Sequence, residues 1–310
     1  MIYIYNINQD SFNNICETKH FITKENTKYT LTEDIHLSKN MNIDNCTFIM
    51  VNNTIFDGNN LNIYIYDNDK NNYWKGLFSI KNGTNNVSIL NMNINVIGNL
   101  KCHRLSSWFI RYIDDNYMCN KSKNINIENS SCNNCNIYYD KQGCFIPINM
   151  FNNLDEISDD YNIKIKNCKI LNSIIKANYS GGFTGANVCN NGGKMLLEDC
   201  ISNIEINGNG CGGLIGNRNA KNKGYIHIKN CIYNGYIVNG INNGGLIGNN
   251  TGYNNTIIIN NFLNIGDLVY NNFPIGCIRN DCNIQIKDIE GCYYVTRCWT
   301  NNDNVLKFIH

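Results

Sequence analysis

The sequence predicts an all-β chain wound as a parallel β-helix, a solenoid with coils of about 31 residues and capped ends. Three observations predict it. The first is composition: alanine occurs only at Ala177, Ala186 and Ala220, while Asn supplies roughly a fifth of the 310 residues and Ile, Tyr and Phe are abundant. Strong helix formers are scarce and β-branched and aromatic residues plentiful. The second is a strand-and-corner signature that recurs at Ile163-Lys-Ile165-Lys-Asn167-Cys168, Met195-Leu-Leu197-Glu-Asp199-Cys200, Ile226-His-Ile228-Lys-Asn230-Cys231 and Ile257-Ile-Ile259-Asn-Asn261-Phe262, with spacings of 32, 31 and 31 residues. The third is a glycine signature in the same register: Gly181-Gly-Phe-Thr-Gly185, Gly212-Gly-Leu-Ile-Gly216, Gly244-Gly-Leu-Ile-Gly248 and a worn copy at Pro274-Ile-Gly276.

Residues 1–30 are expected to cap the N-terminal end, because an open coil exposes apolar core and unpaired backbone. Residues 31–276 form the body. Its early coils are irregular, with strand-like runs at Thr47-Phe-Ile-Met-Val51, Asn62-Ile-Tyr-Ile-Tyr66 and Val87-Ser-Ile-Leu-Asn-Met92. Asn124-Ile-Asn-Ile-Glu-Asn-Ser130 matches the corner signature with serine at the Cys position, and Gly143-Cys-Phe-Ile-Pro-Ile148 stands where the glycine signature falls. Segments 101–120 and 152–160 break the pattern and are expected to leave the body as loops, and 277–310 to cap the far end. Within each unit apolar positions run two apart until an Asn or Asp, residues that tolerate the left-handed conformation and so mark a sharp corner. Stacking then puts Cys168, Cys200, Cys231 and Phe262 in one inward column and Asn167, Asp199, Asn230 and Asn261 in a corner ladder of bonded side chains. Ile174, Ile206, Ile237 and Leu268 form a second apolar column.

Tyr29-Thr-Leu-Thr-Glu-Asp-Ile-His-Leu37, Asn53-Thr-Ile-Phe-Asp-Gly-Asn-Asn-Leu-Asn-Ile63, Gly76-Leu-Phe-Ser-Ile80 and the later Gly-Gly-Leu-Ile-Gly copies occur in an order that resembles β-helix proteins with GLUG-type repeats. The resemblance runs from about residue 22 to 276 and implies a right-handed solenoid whose motifs are structural, with no catalytic residue carried over. The Asn/Ile-rich wording, with its Ile-Lys-Asn-Cys columns, also resembles repeat proteins of mimivirus-like giant DNA viruses.

Charge and cysteine usage narrow the function. Lys+Arg 26 against Asp+Glu 25 leaves +1, no basic field for nucleic acid. Met1-Ile-Tyr-Ile-Tyr-Asn-Ile-Asn lacks the basic and apolar regions of a secretory signal, and no apolar stretch approaches the roughly 18 residues of a membrane span. The 16 cysteines are therefore expected mostly as buried thiols, with Cys277/Cys282 and Cys292/Cys298 as pairs that an oxidising setting would join. Sequons at Asn52, Asn82 and Asn254 are expected by chance in so Asn-rich a chain.

No residue stands out as catalytic, cofactor-binding or metal-ligating. Asp114-Asp115, Asp155-Glu156 and Asp159-Asp160 fall in expected loops rather than at matching positions on successive coils, and Asp57 reads as a turn residue. Cys132-Asn-Asn-Cys135, with Cys102-His103 and Cys144 nearby, lacks a second matching pair for zinc. His20, His36, His103, His227 and His310 share no spacing, and Tyr73-Trp74, Trp108 and Trp299 suit docking against a sugar or subunit, or a capping or core role. The expectation is a non-enzymatic structural virion protein, a minor capsid or surface component that meets other virion proteins or copies of itself. A carbohydrate- or receptor-binding module with a surface glycan as partner comes second, and a polysaccharide lyase or hydrolase last.

Overall fold

The computed structural model describes residues 2–264 apart from 18–20, 38–42, 44–45, 68–72, 112–120, 153–159, 250 and 252–255, and beyond 264 only the strand backbones Asp267–Leu268, Phe273–Ile275 and Asn283–Ile286. Apolar residues alternating with polar ones build strands that are buried on one side, and every strand pairing among the described residues is parallel. The fold is a parallel β-helix. On its first face, nine successive pairings join ten described strands: Tyr3–Ile7, Thr27–Leu31, Ile55–Asp57, Asn85–Leu90, Lys123–Glu128, Ile163–Lys166, Lys194–Glu198, Tyr225–Tyr233, Thr256–Asn264 and Asn283–Ile286. A second face runs from Ile35–Leu37 through Asn62–Tyr66, Asn93–Ile97, Ser131–Asn133, Lys169–Ile175 and Ile201–Asn207 to Tyr236–Asn239 and Asp267–Leu268. The third is made of short strands and single bridges, from Phe21–Ile22, Phe48–Met50 and Phe78–Ile80 to Thr184, Ile215 and Ile247.

The core is a set of columns. Tyr29, Phe56, Ile89, Ile127, Ile165, Leu197, Ile228 and Ile259 stack inward on the first face, all buried. On the third face Phe109, Phe145 and Phe183 lie ring over ring at 4.4 and 5.1 Å, so the Gly143–Ile148 segment is a true copy of the glycine signature. The signature needs glycine because coils approach closely there: a Cβ on Gly212 would collide with the Ile215 carbonyl oxygen, and one on Gly213 with that of Gly245.

Corners explain the composition. Asn91, Asn129, Asn167, Asp199, Asn230 and Asn261 all have φ between 48° and 55°, the left-handed region. Each Asn amide in the chain Asn91, Asn129 and Asn167 donates to the side-chain oxygen one coil earlier (2.9, 3.1 and 2.7 Å), as do Asn230 and Asn261 (3.0 and 3.1 Å). Parallel ladders link Asn53–Asn86–Asn124 and Asn62–Asn95–Asn133–Asn172. The residue after the corner turns inward and donates to the carbonyl two residues back. Ser130 does so at 2.8 Å, Cys168 and Cys200 at 3.2 Å and Cys231 at 3.3 Å. Ser173 and Cys135, then Ser180 and Cys211, repeat the device at other corners. Cysteine here is a small apolar residue with a weak donor, interchangeable with serine at a corner. Nine described cysteines are free thiols, all buried.

Four expectations need correction. The second apolar column runs through Ile175, not Ile174: Ile170 pairs with Ser202, but Ile175 pairs with Ile206, a register shift around left-handed Asn172. That bulge absorbs the one extra residue of the 32-residue coil. Segment 101–120 does not leave the body at once, because Cys102 bridges Trp74, Ile110 bridges Phe78, and Trp108, Phe109 and Ile110 are buried; 112–120 lies outside the described residues. Of the roles open to Trp74 and Trp108, the structure takes the core one: both are buried, donating to the carbonyls of Trp108 and Asn136 at 2.8 and 3.3 Å. Residues 1–30 hold more than a cap, since Tyr3–Ile7 and Thr27–Leu31 are themselves coils of the first face. Between them lies a helix, Gln9–Glu17, which the composition concealed. Asn8 and Ser11 cap it reciprocally, and Phe12, Ile15 and Cys16 on one side close the lumen. Finally, Cys16 and Cys46 form a disulfide that ties this helix to the body. The C-terminal cap at 277–310 lies outside the described residues except for the Asn283–Ile286 strand.

Candidate outer-face site

Two outward columns on the first face carry the chemistry. One runs Asn126, Lys164, Leu196, His227, Ile258, and the other Glu128, Lys166, Glu198, Lys229, Asn260. In the second column, charges alternate from coil to coil. Glu198 sits between two lysines, with Lys166 Nζ and Lys229 Nζ both 2.7 Å from its oxygens. Those bonds, to Lys166 and then Lys229, hold its carboxyl below the usual value. It is therefore ionised and saturated, unsuited to act as a general acid.

Beside this triad lies a hydrogen-bonded chain across four coils. Tyr161, just before its strand, carries its hydroxyl to within 3.1 Å of His227 Nδ1, and His227 Nε2 lies 3.0 Å from Asn260 Oδ1. Burial first, then the neighbouring Tyr225 hydroxyl and the Glu198 charge, push the Tyr161 phenol well above its usual range, so it stays protonated. A protonated phenol donates to Nδ1, which leaves Nε2–H to donate to Asn260. Tyr225 lies 6.0 Å from Tyr161, ring to ring, and Lys164 Nζ stands 5.9 Å above the Tyr161 ring. Leu196, between Lys164 and His227, points outward yet is only 8% exposed, covered by these side chains. The result is a raised aromatic and imidazole surface, flanked by ammonium groups and ending in an amide.

Other candidates fall elsewhere. Asp57 ends its strand and acts as a turn residue, accepting the Asn59 N–H at 2.9 Å and pairing with Lys28 at 2.7 Å. Burial alone would raise its pKa; the bonds from Lys28, Asn91 and Asn59 outweigh it and lower the value. Asp160 is exposed, while Asp114, Asp115, Asp155, Glu156 and Asp159 lie outside the described residues. Cys102, Cys132, Cys135 and Cys144 are buried, and no group of three or more His, Cys, Asp or Glu among the described residues is arranged to hold a metal. His36 stacks on Tyr64 at 4.8 Å and faces the Tyr66 hydroxyl at 3.1 Å on the second face, and Tyr73 is 39% exposed. His103 is half-buried, whereas His20, His310, Trp299, Cys277, Cys282, Cys292 and Cys298 lie outside the described residues. No described helix is long and apolar enough to cross a membrane. Sequence reasoning noted His227 only as one of five unrelated histidines; its place in the repeat, one residue into Ile226-His-Ile228, was the signal that put it on the outer face.

No protein-family description matches the chain, and no curated protein matches its sequence. Among solved structures, a candidate immunoglobulin A1 protease from Bacteroides ovatus is similar with a TM-score of 0.46 and 14% identity, over 93% of this chain and 85% of that one. A double mutant of a periplasmic alginate epimerase is similar with a TM-score of 0.24 and 11% identity, over 91% of this chain and 82% of the other. The chain's own strand pairing is what makes it a parallel β-helix.

Proposed function

We propose that this protein works by contact and not by catalysis, as a rigid rod in a virion, a minor capsid or surface component assembled in the host cytoplasm. The observation that carries this reading is the state of the corners and of the first outer face. The corner amides are bonded from coil to coil, and the carboxylate at the centre of that face, Glu198, is neutralised by two lysines. Such a surface holds shape and offers paired donors and acceptors to a partner. The virion setting, with other virion proteins or further copies as partners, rests on the resemblance of the Asn/Ile-rich wording to repeat proteins of mimivirus-like giant viruses.

The test is mass spectrometry with cross-linking on purified virus particles. The expected result is the chain in the particle, with more than about 1,000 Å² buried against neighbours, concentrated in 112–120, 152–160 and 292–310. A soluble monomer missing from the particle counts against the proposal. Turnover of a polysaccharide by the purified protein, lost in Asp155→Asn or Asp159→Asn, would overturn it.

A further inference from the structure

We propose that the outer face around Tyr161, Tyr225 and His227 is a binding site for an acidic polysaccharide, with the glycan chain running along the solenoid axis. This goes beyond the contact role and does not depend on membership of a particle.

Four features combine. The groups point away from the core, so the columns inside do not require them. Tyr161 reaches across two coils to His227, which fixes both rings instead of leaving them as free rotamers. A ring surface held this way loses little entropy on binding and suits the apolar face of a sugar, while the His227 and Asn260 edge suits its hydroxyls. From the Tyr161 coil to the Asn260 coil the site spans four coils, about 14 Å at roughly 4.8 Å each, the length of a short oligosaccharide.

The charge favours acidic sugars. The four strands of the site, Ile163–Lys166, Lys194–Glu198, Tyr225–Tyr233 and Thr256–Asn264, carry Lys164, Lys166, Lys194 and Lys229 against Glu198, which Lys166 and Lys229 already pair, so that Lys164 and Lys194 stay available to an anionic ligand. Asp199 flanks this face at a coil corner, and Asp160 precedes the Ile163–Lys166 strand. Lys164 above the Tyr161 ring and Lys194 in register with Tyr225 stand beside the aromatic surface, placed for carboxylates on a sugar seated there.

The experiment is calorimetric titration of the full chain with an oligogalacturonate, and with a neutral gluco-oligosaccharide of the same length. The expected result is saturable binding of the acidic oligomer, at least tenfold weaker for the neutral one, and weakened as salt rises. His227→Ala and Tyr225→Ala should each weaken binding at least tenfold. Tyr161→Phe, which keeps the ring and loses the hydroxyl, should weaken it severalfold with the melting temperature unchanged, and Lys164→Gln should flatten the salt dependence. No binding at millimolar ligand overturns the proposal. So does equal affinity for the neutral oligomer, or affinity unchanged in folded Tyr161→Phe and Lys164→Gln. Particle membership is read by a different experiment, so the two proposals fail separately.

Discussion

Replacing Cys200 with Asp puts a carboxyl into the buried column, facing two backbone carbonyl oxygens. Cys200 is fully buried, and its sulfur lies 3.2 Å from the Glu198 carbonyl oxygen and 3.5 Å from that of Ile165. Burial already pushes the thiol well above its usual value. An ionised carboxylate at this position would be desolvated and face two oxygens, so the folded variant keeps its proton. At pH 7 the cost of holding an Asp neutral is about three pH units above an unfolded value near 3.9, about 4 kcal/mol at 1.36 kcal/mol per unit. The sign follows: above pH 3.9 the unfolded chain releases a proton that the native state retains, so stability falls as pH rises. The difference from wild type should therefore shrink from about 4 kcal/mol at pH 7 toward about 0.5 at pH 4. Cys200→Ser is the control, because Ser130 occupies the equivalent corner at 2.8 Å from the Glu128 carbonyl; it should cost less than about 1.5 kcal/mol at both pH values. The assay is urea unfolding followed by circular dichroism, each variant against wild type at each pH. A Cys200→Asp deficit that does not vary with pH, or wild-type stability, would refute the burial on which the column rests.

Three more outcomes follow from the geometry. Gly212→Ala forces a methyl group into the Ile215 carbonyl and should cost about 3 kcal/mol or more, seen as a lower urea midpoint; an unchanged midpoint would mean that the coils can separate there. Asp199 is the corner residue that cannot donate to Asn167, so Asp199→Asn should complete the ladder and raise stability by about 0.5 to 1 kcal/mol, whereas a loss would show that its charge matters more. Glu198→Gln should lower stability by less than about 1 kcal/mol, since the pairs are partly exposed. Because the Glu198 carboxyl is held below its ordinary 4.5, that stability is present above pH 4.5 and lost as pH falls through the lower folded value; a deficit persisting at pH 3 would point to packing instead.

The repeat determined the architecture. A residue type that tolerates left-handed backbone, followed by a small inward residue every 31 or 32 positions, can stack only if the coils lie in register, and Asn167, Asp199, Asn230, Asn261 and the Cys column do so. Local pattern was enough because each coil meets chiefly its neighbours. Where the pattern breaks, sequence could not tell a loop from an irregular coil. Trp108 and Phe109 look like insertion residues, yet they fill the lumen because Trp74 and Phe145 lie one coil away on either side. The Ile175 register was likewise decided by where one surplus residue bulged. Helix Gln9–Glu17 formed because an open lumen needed an apolar side, a demand that exists only once the coils are stacked. The outer-face site was the least legible. Tyr161 and His227 stand 66 positions apart and share no motif. Only the three-dimensional stacking of coils, with one long side chain crossing two of them, brings hydroxyl and imidazole together.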